Sequence, residues 1–527
     1  MTKRLPHRIA AAVRILLPIL LGAAAATGFA PLDLLPATLL AFALWLRMVH
    51  DAPTLRRALL TGWLFGVGHF TINNNWIQHA FDYQDRMPPV LGYGAVVALA
   101  LYLAVYPMLS AGLMWRLASP RAAGDGVTRP GAAFVLVAGA AWIAGEWLRA
   151  TMFTGYAWDP LGIAWLAVPD LARGARFVGT YAMSGLLVVS AGAILLLVTR
   201  RDWHLPAGIA AVLVVIAASS HIGGSDDAPV PANAPRIRVV QPNMDQDIHT
   251  TPQRTERELA TLTALSGRPG PAPRLVVWPE GSVDPFLEDG YPPYWYWRGS
   301  PYLTRQRIAG VLGQRDHALV GGNALAFDAA GELVGARNAI FTVGPDGALG
   351  GRYDKAHLVP YGEYLPMRTI LAPLGLSRLV AGDVDFLDGP GPRTLWVPNF
   401  GPVGMQICYE IIFSGQVVDP AQRPALLFNP SNDAWFGEWG PVQHLAQARM
   451  RAIEEGVPIV RSTPNGISAV IAADGRILAQ VPRHRAGAIE LPIPRALPPT
   501  LFSRTGNAMA ALVAALFVAL AVALRRR

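Results

Sequence analysis

Cysteine is almost missing from this chain: there is one, Cys408, in 527 residues. A single thiol excludes an intramolecular disulfide and any zinc site built on a cysteine pair. Charge is scarce as well. Asp, Glu, Lys and Arg make up 15 % of the residues, where a soluble domain carries about 25 %, and hydrophobic residues reach 52 %. That balance points to a membrane protein. The 11 histidines fall in no short metal-binding spacing, and there is no Gly-x-x-x-x-Gly-Lys phosphate loop, so neither a metal nor a cofactor is expected. A formal net charge of +8 raises nucleic acid as a partner, but the arginines cluster at the edges of apolar segments rather than on one patch. Membrane topology accounts for them better, and no nucleic acid is expected.

What is present begins with long apolar runs. Stretches long enough to span, or nearly so, occur at 10–30, 33–50, 58–78, 90–115, 131–148, 177–199, 205–222 and 507–524, against a requirement of roughly 20 residues. Pro18, Pro31 and Pro36 interrupt the first two, which could pair as a helical hairpin. The basic start before an apolar run resembles a signal peptide, but further spans follow directly and no small-residue cleavage site stands out. Positive residues favour the cytoplasm. Lys3, Arg4 and Arg8 precede the first span, and Arg47, Arg56, Arg57, Arg116, Arg121, Arg129, Arg200, Arg201 and Arg525 to Arg527 follow even-numbered ones. The third exit, Asp82 to Arg86, is poorer in positive charge. Arg149, Arg173 and Arg176, after the fifth span, break the pattern and imply a folded or interfacial loop there. Seven spans before residue 225 then put the following hydrophilic segment outside the cytoplasm, and the last span returns the tail.

Polar residues inside spans are costly, so they mark either helix–helix hydrogen bonds or function. His69, Asn73 to Asn75 and Glu146 are of this kind, with hydrogen bonding between helices the simpler account. The aromatic-rich loop 153–162 suits headgroup depth and is a candidate wall for a lipid site.

The Gly/Pro-rich stretch 225–235 is a domain linker. Beyond it the texture changes to short β runs alternating with amphipathic segments. Strands are predicted at 237–241, 275–278, 318–326, 339–343, 349–353, 403–407, 425–429, 459–462, 468–472 and 477–481. Helices are predicted over 251–265, with a threonine cap and Leu259, Leu262 and Leu265 at helical spacing, and over 441–455, with Pro441 in its first turn and Gly456 beyond its end. Such alternation is that of a layered α/β domain of about 260 residues.

Three strand ends in this domain carry residues that could make an activated thiol. The run 400–407 delivers Cys408, next to Glu410; the strand before Pro279 delivers Glu280; the run Gly351-Arg352-Tyr353-Asp354 delivers Lys355. A lone cysteine is more often an inert buried side chain, a Glu after Pro a turn residue, and a Lys after a strand solvated. Together, in the order base, cation, nucleophile, they outweigh those readings. A free thiol is mostly protonated at neutral pH and needs a base, for which Glu280 is the candidate, its basicity raised if it is buried. The oxyanion that follows attack needs a fixed cation and a backbone donor, for which Lys355 and the N–H of Tyr409 are placed.

These residues carry a resemblance. Trp278-Pro279-Glu280, the run from Tyr353 to Pro366 and Cys408-Tyr409-Glu410 resemble the nitrilase, or carbon-nitrogen hydrolase, superfamily. The wording of the last two, with Asn432-Asp433-Ala434-Trp435-Phe436-Gly437 and membrane segments on both sides, resembles the bacterial apolipoprotein N-acyltransferase family over nearly the whole chain. The resemblance implies a polytopic α-helical membrane domain at 1–224, a nitrilase-like αββα sandwich at 236–495 and a C-terminal transmembrane helix at 505–525. It implies Glu280 as base, Lys355 as stabiliser and Cys408 as nucleophile, with Glu363, Tyr409 and Glu410 supporting the site. Trp435 and Phe436 suit a mobile lid touching acyl chains, or ordinary packing. One departure is His249-Thr250, where an aromatic residue is common in the family.

The motifs do not separate hydrolysis from acyl transfer. Position does: a domain with spans before and after it lies within reach of a phospholipid acyl donor and a membrane-anchored acceptor. The resemblance implies a bacterial inner-membrane enzyme, its catalytic domain in the periplasm, that acylates diacylated apolipoproteins through a thioester. A membrane-anchored amidase would share the three residues but release free acid or ammonia, and a transporter with a degenerate outer domain would tolerate their loss.

Overall fold

The computed structural model describes residues 7–83, 87–119, 129–200, 202–220, 231, 233–245, 251–374 and 385–525. Most of the linker 225–235 lies outside the described residues, as do His249, Thr250, Lys3, Arg4, Arg86, Arg121, Arg201, Arg526 and Arg527. The chain divides into two compact units, one made of Met1–Gln78, Val90–Gly224 and Thr500–Arg527, the other of His79–Pro89 and Ser225–Pro499.

Helices occupy all eight apolar stretches of the first unit: His7–Ala26, Leu35–His50, Leu55–Asn73, Leu91–Leu103 with Val105–Ala118, Ala132–Thr151, Ala175–Val198, His204–Ser220 and Ala508–Arg525. Among the described residues, Leu91–Ala118, Ala132–Thr151, Ala175–Val198 and Ala508–Arg525 are long and apolar enough to cross a membrane; Ala12–Ala26, Leu35–His50 and His204–Ser220 are shorter apolar helices. Leu55–Asn73 dilutes its apolar run with Arg56, Arg57, His69 and Asn73. Apolar helices gain little from burying side chains against each other in lipid, so close backbone approach matters more. Gly22 and Gly68 supply it between the first and third helices, since a Cβ on either would stand 1.9 Å from the Phe65 carbonyl oxygen or 2.0 Å from that of Ile19. Leu16, Leu20, Leu40, Val198, Val214 and Leu512 are left exposed.

The loop after Ala132–Thr151 is folded, with a 3₁₀ turn at Leu161–Ala167. It uses the arginines that break the charge pattern. Arg149 is buried and donates to the carbonyls of Tyr156 and Trp158 at 3.1 and 2.7 Å, Arg173 pairs with Asp170, and Arg176 donates to the Ser219 carbonyl. Glu146 accepts from the Trp142 indole at 2.8 Å and the Leu161 N–H at 2.7 Å, a tie between helix and loop.

The second unit holds twelve strands: β1 Arg236–Gln241, β2 Arg274–Val277, β3 His317–Phe327, β4 Leu333–Val343, β5 Leu349–Asp354, β6 Arg393–Val397, β7 Gly401–Met405, β8 Leu426–Pro430, β9 Ile459–Ser462, β10 Ser468–Ile471, β11 Ile477–Val481 and β12 Gly487–Pro492. They form two six-stranded sheets, ordered β12-β1-β2-β3-β4-β5 and β11-β10-β9-β8-β7-β6. In each sheet three successive strands run parallel, β1-β2-β3 and β7-β8-β9, flanked by antiparallel neighbours. Strands buried on both faces read as unbroken apolar runs, and β2, β8, β9 and β10 are buried throughout. Helices Pro252–Ser266 and Pro301–Ala309 cover the first sheet, where Leu259, Leu262 and Ile308 join Val276, Trp278, Val320 and Phe341 in one core. Each such fully buried side chain contributes roughly 1.5–3 kcal/mol. Helix Gly440–Glu455 packs on β9 of the second sheet. Side chains of β1 and β9 link the sheets: Ser462 donates to the Val240 carbonyl at 2.8 Å, and Gln241 accepts from the Ser468 N–H at 2.9 Å. The second unit is an αββα sandwich of the nitrilase type, and the first is a polytopic helical membrane domain.

Sequence reading placed the other strands within a few residues but missed β6, β12 and helix Pro301–Ala309, and it shortened β4, which starts six residues before Ala339. β6 and β12 are outer strands of mixed burial, with no apolar alternation to reveal them.

Candidate active site

Glu280 stands in the turn after β2, where Pro279 ends the strand. Its backbone lies directly over β3: a Cβ on Gly321 would be 2.3 Å from the Pro279 carbonyl oxygen and 2.8 Å from the Glu280 Cα, so only glycine permits this approach. The Glu280 carboxylate is held on both oxygens. Oε1 accepts from Asn338 Nδ2 at 2.7 Å and lies 3.4 Å from Lys355 Nζ; Oε2 accepts from the Asn432 N–H at 2.7 Å.

Lys355 follows β5, its N–H bonded to the Asn338 carbonyl at 2.9 Å. Its ammonium is buried, 1 % exposed, and donates to Glu363 Oε1 at 2.9 Å. Burial works against the charge, but the carboxylates of Glu363 and Glu280 outweigh it and hold the pKa of Lys355 above the ordinary lysine value. Glu363 in turn accepts from the Val359 N–H at 2.8 Å and from Asn338 Nδ2 at 3.3 Å, bracing the loop against the lysine.

Cys408 comes three residues after β7 ends, at the start of a 3₁₀ turn, Cys408–Ile412. It has φ +51°, a left-handed conformation uncommon for a residue with a side chain and concentrated at functional sites. The thiol is buried, 5 % exposed. Burial pushes its pKa well up and the charge of Glu280 pushes further, while Lys355 and the Asn432 N–H act in the opposite direction. The structure thus brings Glu280, Lys355 and Cys408 into one electrostatically coupled site, with Glu363 behind the lysine.

Glu410 ties the Cys408 turn to the lysine loop, and the charge of Lys355 reaches its carboxylate. Its carboxylate accepts from the N–H groups of Ile407 (2.6 Å), Ala356 (2.7 Å) and His357 (3.1 Å) and from the Tyr353 hydroxyl (2.8 Å). Burial pushes its pKa up to about 7 against these donors. Tyr409 packs on Phe413, which stacks on His357. Phe436 is buried edge-on to His444, and Trp435 is half-buried beside Tyr83, ring centroids 5.6 Å apart. Among the described residues no group of three or more His, Cys, Asp or Glu side chains is placed to hold a metal ion.

Sequence reading missed Asn338, Asn429, His444 and Arg461. Each is a polar residue at a buried position of a strand or helix, a placement that requires a partner and could have flagged them.

Two family models match the chain: one described as Apolipoprotein N-acyltransferase N-terminal domain, at residues 21–193, and one described as Carbon-nitrogen hydrolase, at residues 236–497. The apolipoprotein N-acyltransferase of Rhodopseudomonas palustris is 31 % identical over 546 residues, covering 98 % of this chain and 95 % of that protein. The apolipoprotein N-acyltransferase of Ralstonia nicotianae is 34 % identical over 525 residues, covering 97 % and 93 %. Among solved structures, Saccharomyces cerevisiae Nit3, of the nitrilase superfamily, aligns at 18 % identity and a TM-score of 0.35 over 53 % of this chain and 95 % of that one. On its whole-length relatives, this chain belongs to the apolipoprotein N-acyltransferase family of enzymes, with a catalytic domain of the carbon-nitrogen hydrolase type.

Proposed function

We propose that this enzyme moves a fatty acyl chain from a phospholipid to the N-terminal amine of a diacylglyceryl-cysteine apolipoprotein, through a thioester on Cys408. The observation that carries the reading is the convergence of Glu280 and Lys355 on a buried, left-handed cysteine in a chain of this family. In the first half-reaction the Glu280 carboxylate takes the Cys408 proton as sulfur attacks the ester carbonyl. The oxyanion forms against the Lys355 ammonium and the Tyr409 N–H. Collapse expels the glycerol oxygen, which leaves as lysophospholipid with the proton from Glu280. In the second, the apolipoprotein amine attacks the thioester, Glu280 takes a proton from nitrogen, and the C–S bond breaks to give the amide and, with that proton, the resting thiol.

Glu363 braces Lys355, and Glu410 and Tyr409 hold the nucleophile turn. The half-buried Trp435 and the buried Phe436, in the 432–437 loop whose Asn432 N–H holds Glu280, are assigned to acyl-chain contact. Residues 1–224 and 505–525 form the membrane part, 225–235 the linker and 236–495 the catalytic domain. The placement of positive residues supports an inner-membrane location with that domain in the periplasm.

Incubation with phospholipid labelled in its acyl chain, without an acceptor, should leave label on the protein that hydroxylamine releases at neutral pH. Label retained at wild-type level by Cys408→Ala would sink the covalent step. Release of free fatty acid in place of acylated lipopeptide, when an acceptor is present, would favour the amidase reading.

A further inference from the structure

Helix Gly440–Glu455 buries a row of polar side chains, the adjacent Gln443 and His444 and then Gln447, Arg451 and Glu454 at spacings of three and four residues. Buried polar groups are costly unless bonded, so such a row calls for a function. Two members of it meet the segment that carries Cys408. His444 Nε2 lies 3.1 Å from the Cys408 carbonyl oxygen, and Glu454 accepts from the Ser414 hydroxyl at 2.7 Å, six residues further on. A carbonyl oxygen only accepts, so Nε2 carries a proton and donates. A second donor, Asn429 Nδ2, reaches the same oxygen at 3.4 Å and the Gln406 carbonyl at 2.8 Å.

Both donors are set by one guanidinium. Arg461 donates to Asn429 Oδ1 at 2.7 Å, to Ser431 at 2.8 Å and to Asp433 at 2.5 and 2.7 Å, and its Nη2 stands 3.0 Å from His444 Nδ1. Asp433 Oδ1 is 3.2 Å from the same ring nitrogen. With Nδ1 accepting from Arg461, the ring donates through Nε2 while neutral.

The Cys408 carbonyl and the Tyr409 N–H are the two ends of one planar peptide group and point in opposite directions. A donor on the carbonyl therefore orients the N–H on the other side and polarises it toward a developing oxyanion. We infer that His444, seconded by Asn429 and registered by Arg461, is a positioning residue that holds the 408–409 peptide so that sulfur and the Tyr409 N–H address the same carbonyl. The inference rests on the proposed roles of Cys408 and Tyr409, and it assigns the left-handed backbone of Cys408 a holder.

The test uses the full-length enzyme in mixed phospholipid micelles. His444→Leu should lower kcat about 100-fold with KM for phospholipid within threefold of wild type, the effect expected of a small misplacement at the reacting centre. His444→Gln, whose amide nitrogen reaches the position of Nε2, should recover at least tenfold of that loss at an unchanged unfolding temperature. A His444→Leu enzyme with wild-type kcat overturns the inference, and so does an equal loss in both variants, which would mark a packing role. Should His444→Leu fail to fold, Asn429→Ser is measured instead, and an unchanged kcat there overturns it equally. Wild-type turnover in Cys408→Ala would remove the nucleophile reading itself, a failure separate from any result at His444.

Discussion

A carboxylate beside a thiol makes the thiolate harder to form, and a neighbouring ammonium makes it easier; Cys408 feels both. The site therefore rests with the thiol protonated, and in the proposed mechanism Glu280 acts as base only while sulfur is bonding to carbon. Substituting either neighbour should separate acidity from turnover. Glu280→Gln removes the like charge, so the pH midpoint for alkylation of Cys408 falls while acyl transfer drops by about 10²–10⁴-fold. Lys355→Met raises that midpoint and costs about 10²–10³ in kcat. Iodoacetamide rates against pH, beside turnover, check both; midpoints moving in the same direction would contradict the coupling.

His444 also leaves a mark on stability. Burial first, then the charge of Arg461, lowers its pKa from 6.5 to about 4, so below pH 6.5 the unfolded chain binds a proton that the folded protein refuses. Its contribution is full above pH 6.5 and is lost as pH falls toward 4, on the order of 3 kcal/mol over that window. Glu410 and Glu455, pushed up to about 7, act with the opposite sign between pH 4.5 and 7. They are common to wild type and His444→Gln, so in denaturant titrations the difference in stability between the two should move in the variant's favour as pH falls from 6.5 to 4. Cys408, Glu280 and Lys355 were readable because each has reactive chemistry and ends a strand. Asn338 and Arg461 were not, because their partners lie on distant segments, 58 positions away for Asn338 and Glu280 and 28 for Arg461 and Asp433.

At the scale of elements, the site is an arrangement of strand ends. β2, β5 and β7 stop where polar residues are needed, and the longer hairpin of β3 and β4 supplies the floor, Gly321 on one strand and Asn338 on the other. Gly321→Ala would drive a methyl group into the Pro279–Glu280 backbone and displace the carboxylate by a fraction of an ångström or more. The expected result is a kcat reduced about 10²-fold with little change in KM, and full activity would show that Glu280 tolerates the shift. The strands that hold residues in place were legible where they are buried on both faces, as in β2 and β9. Of the edge strands, β5 and β11 were legible and β6 and β12 were not, their partial exposure leaving no period in the sequence.

At the scale of the molecule, one chain joins a unit whose outer surface is apolar to one with a soluble type of core. Exposed leucines and valines on helices such as His204–Ser220 and Ala508–Arg525 are stable only against lipid or detergent. The full-length protein should therefore stay in the pellet after alkaline carbonate washing of membranes and be released by detergent; release by carbonate alone would contradict a spanning unit. The apolar runs, the change of texture after residue 235 and the three reactive residues were determined by the sequence by itself, since hydrophobic length, strand period and reactive side chains are local properties of a chain. Only the tertiary structure decided which groups hold those residues: Asn338 and the Asn432 N–H on Glu280, Glu363 on Lys355, and His444 and Asn429 on the Cys408 carbonyl. Hydrogen bonds reach about 3 Å, and which polar groups come within that distance depends on how the sheets and helices pack, a relation between distant segments that no local pattern encodes.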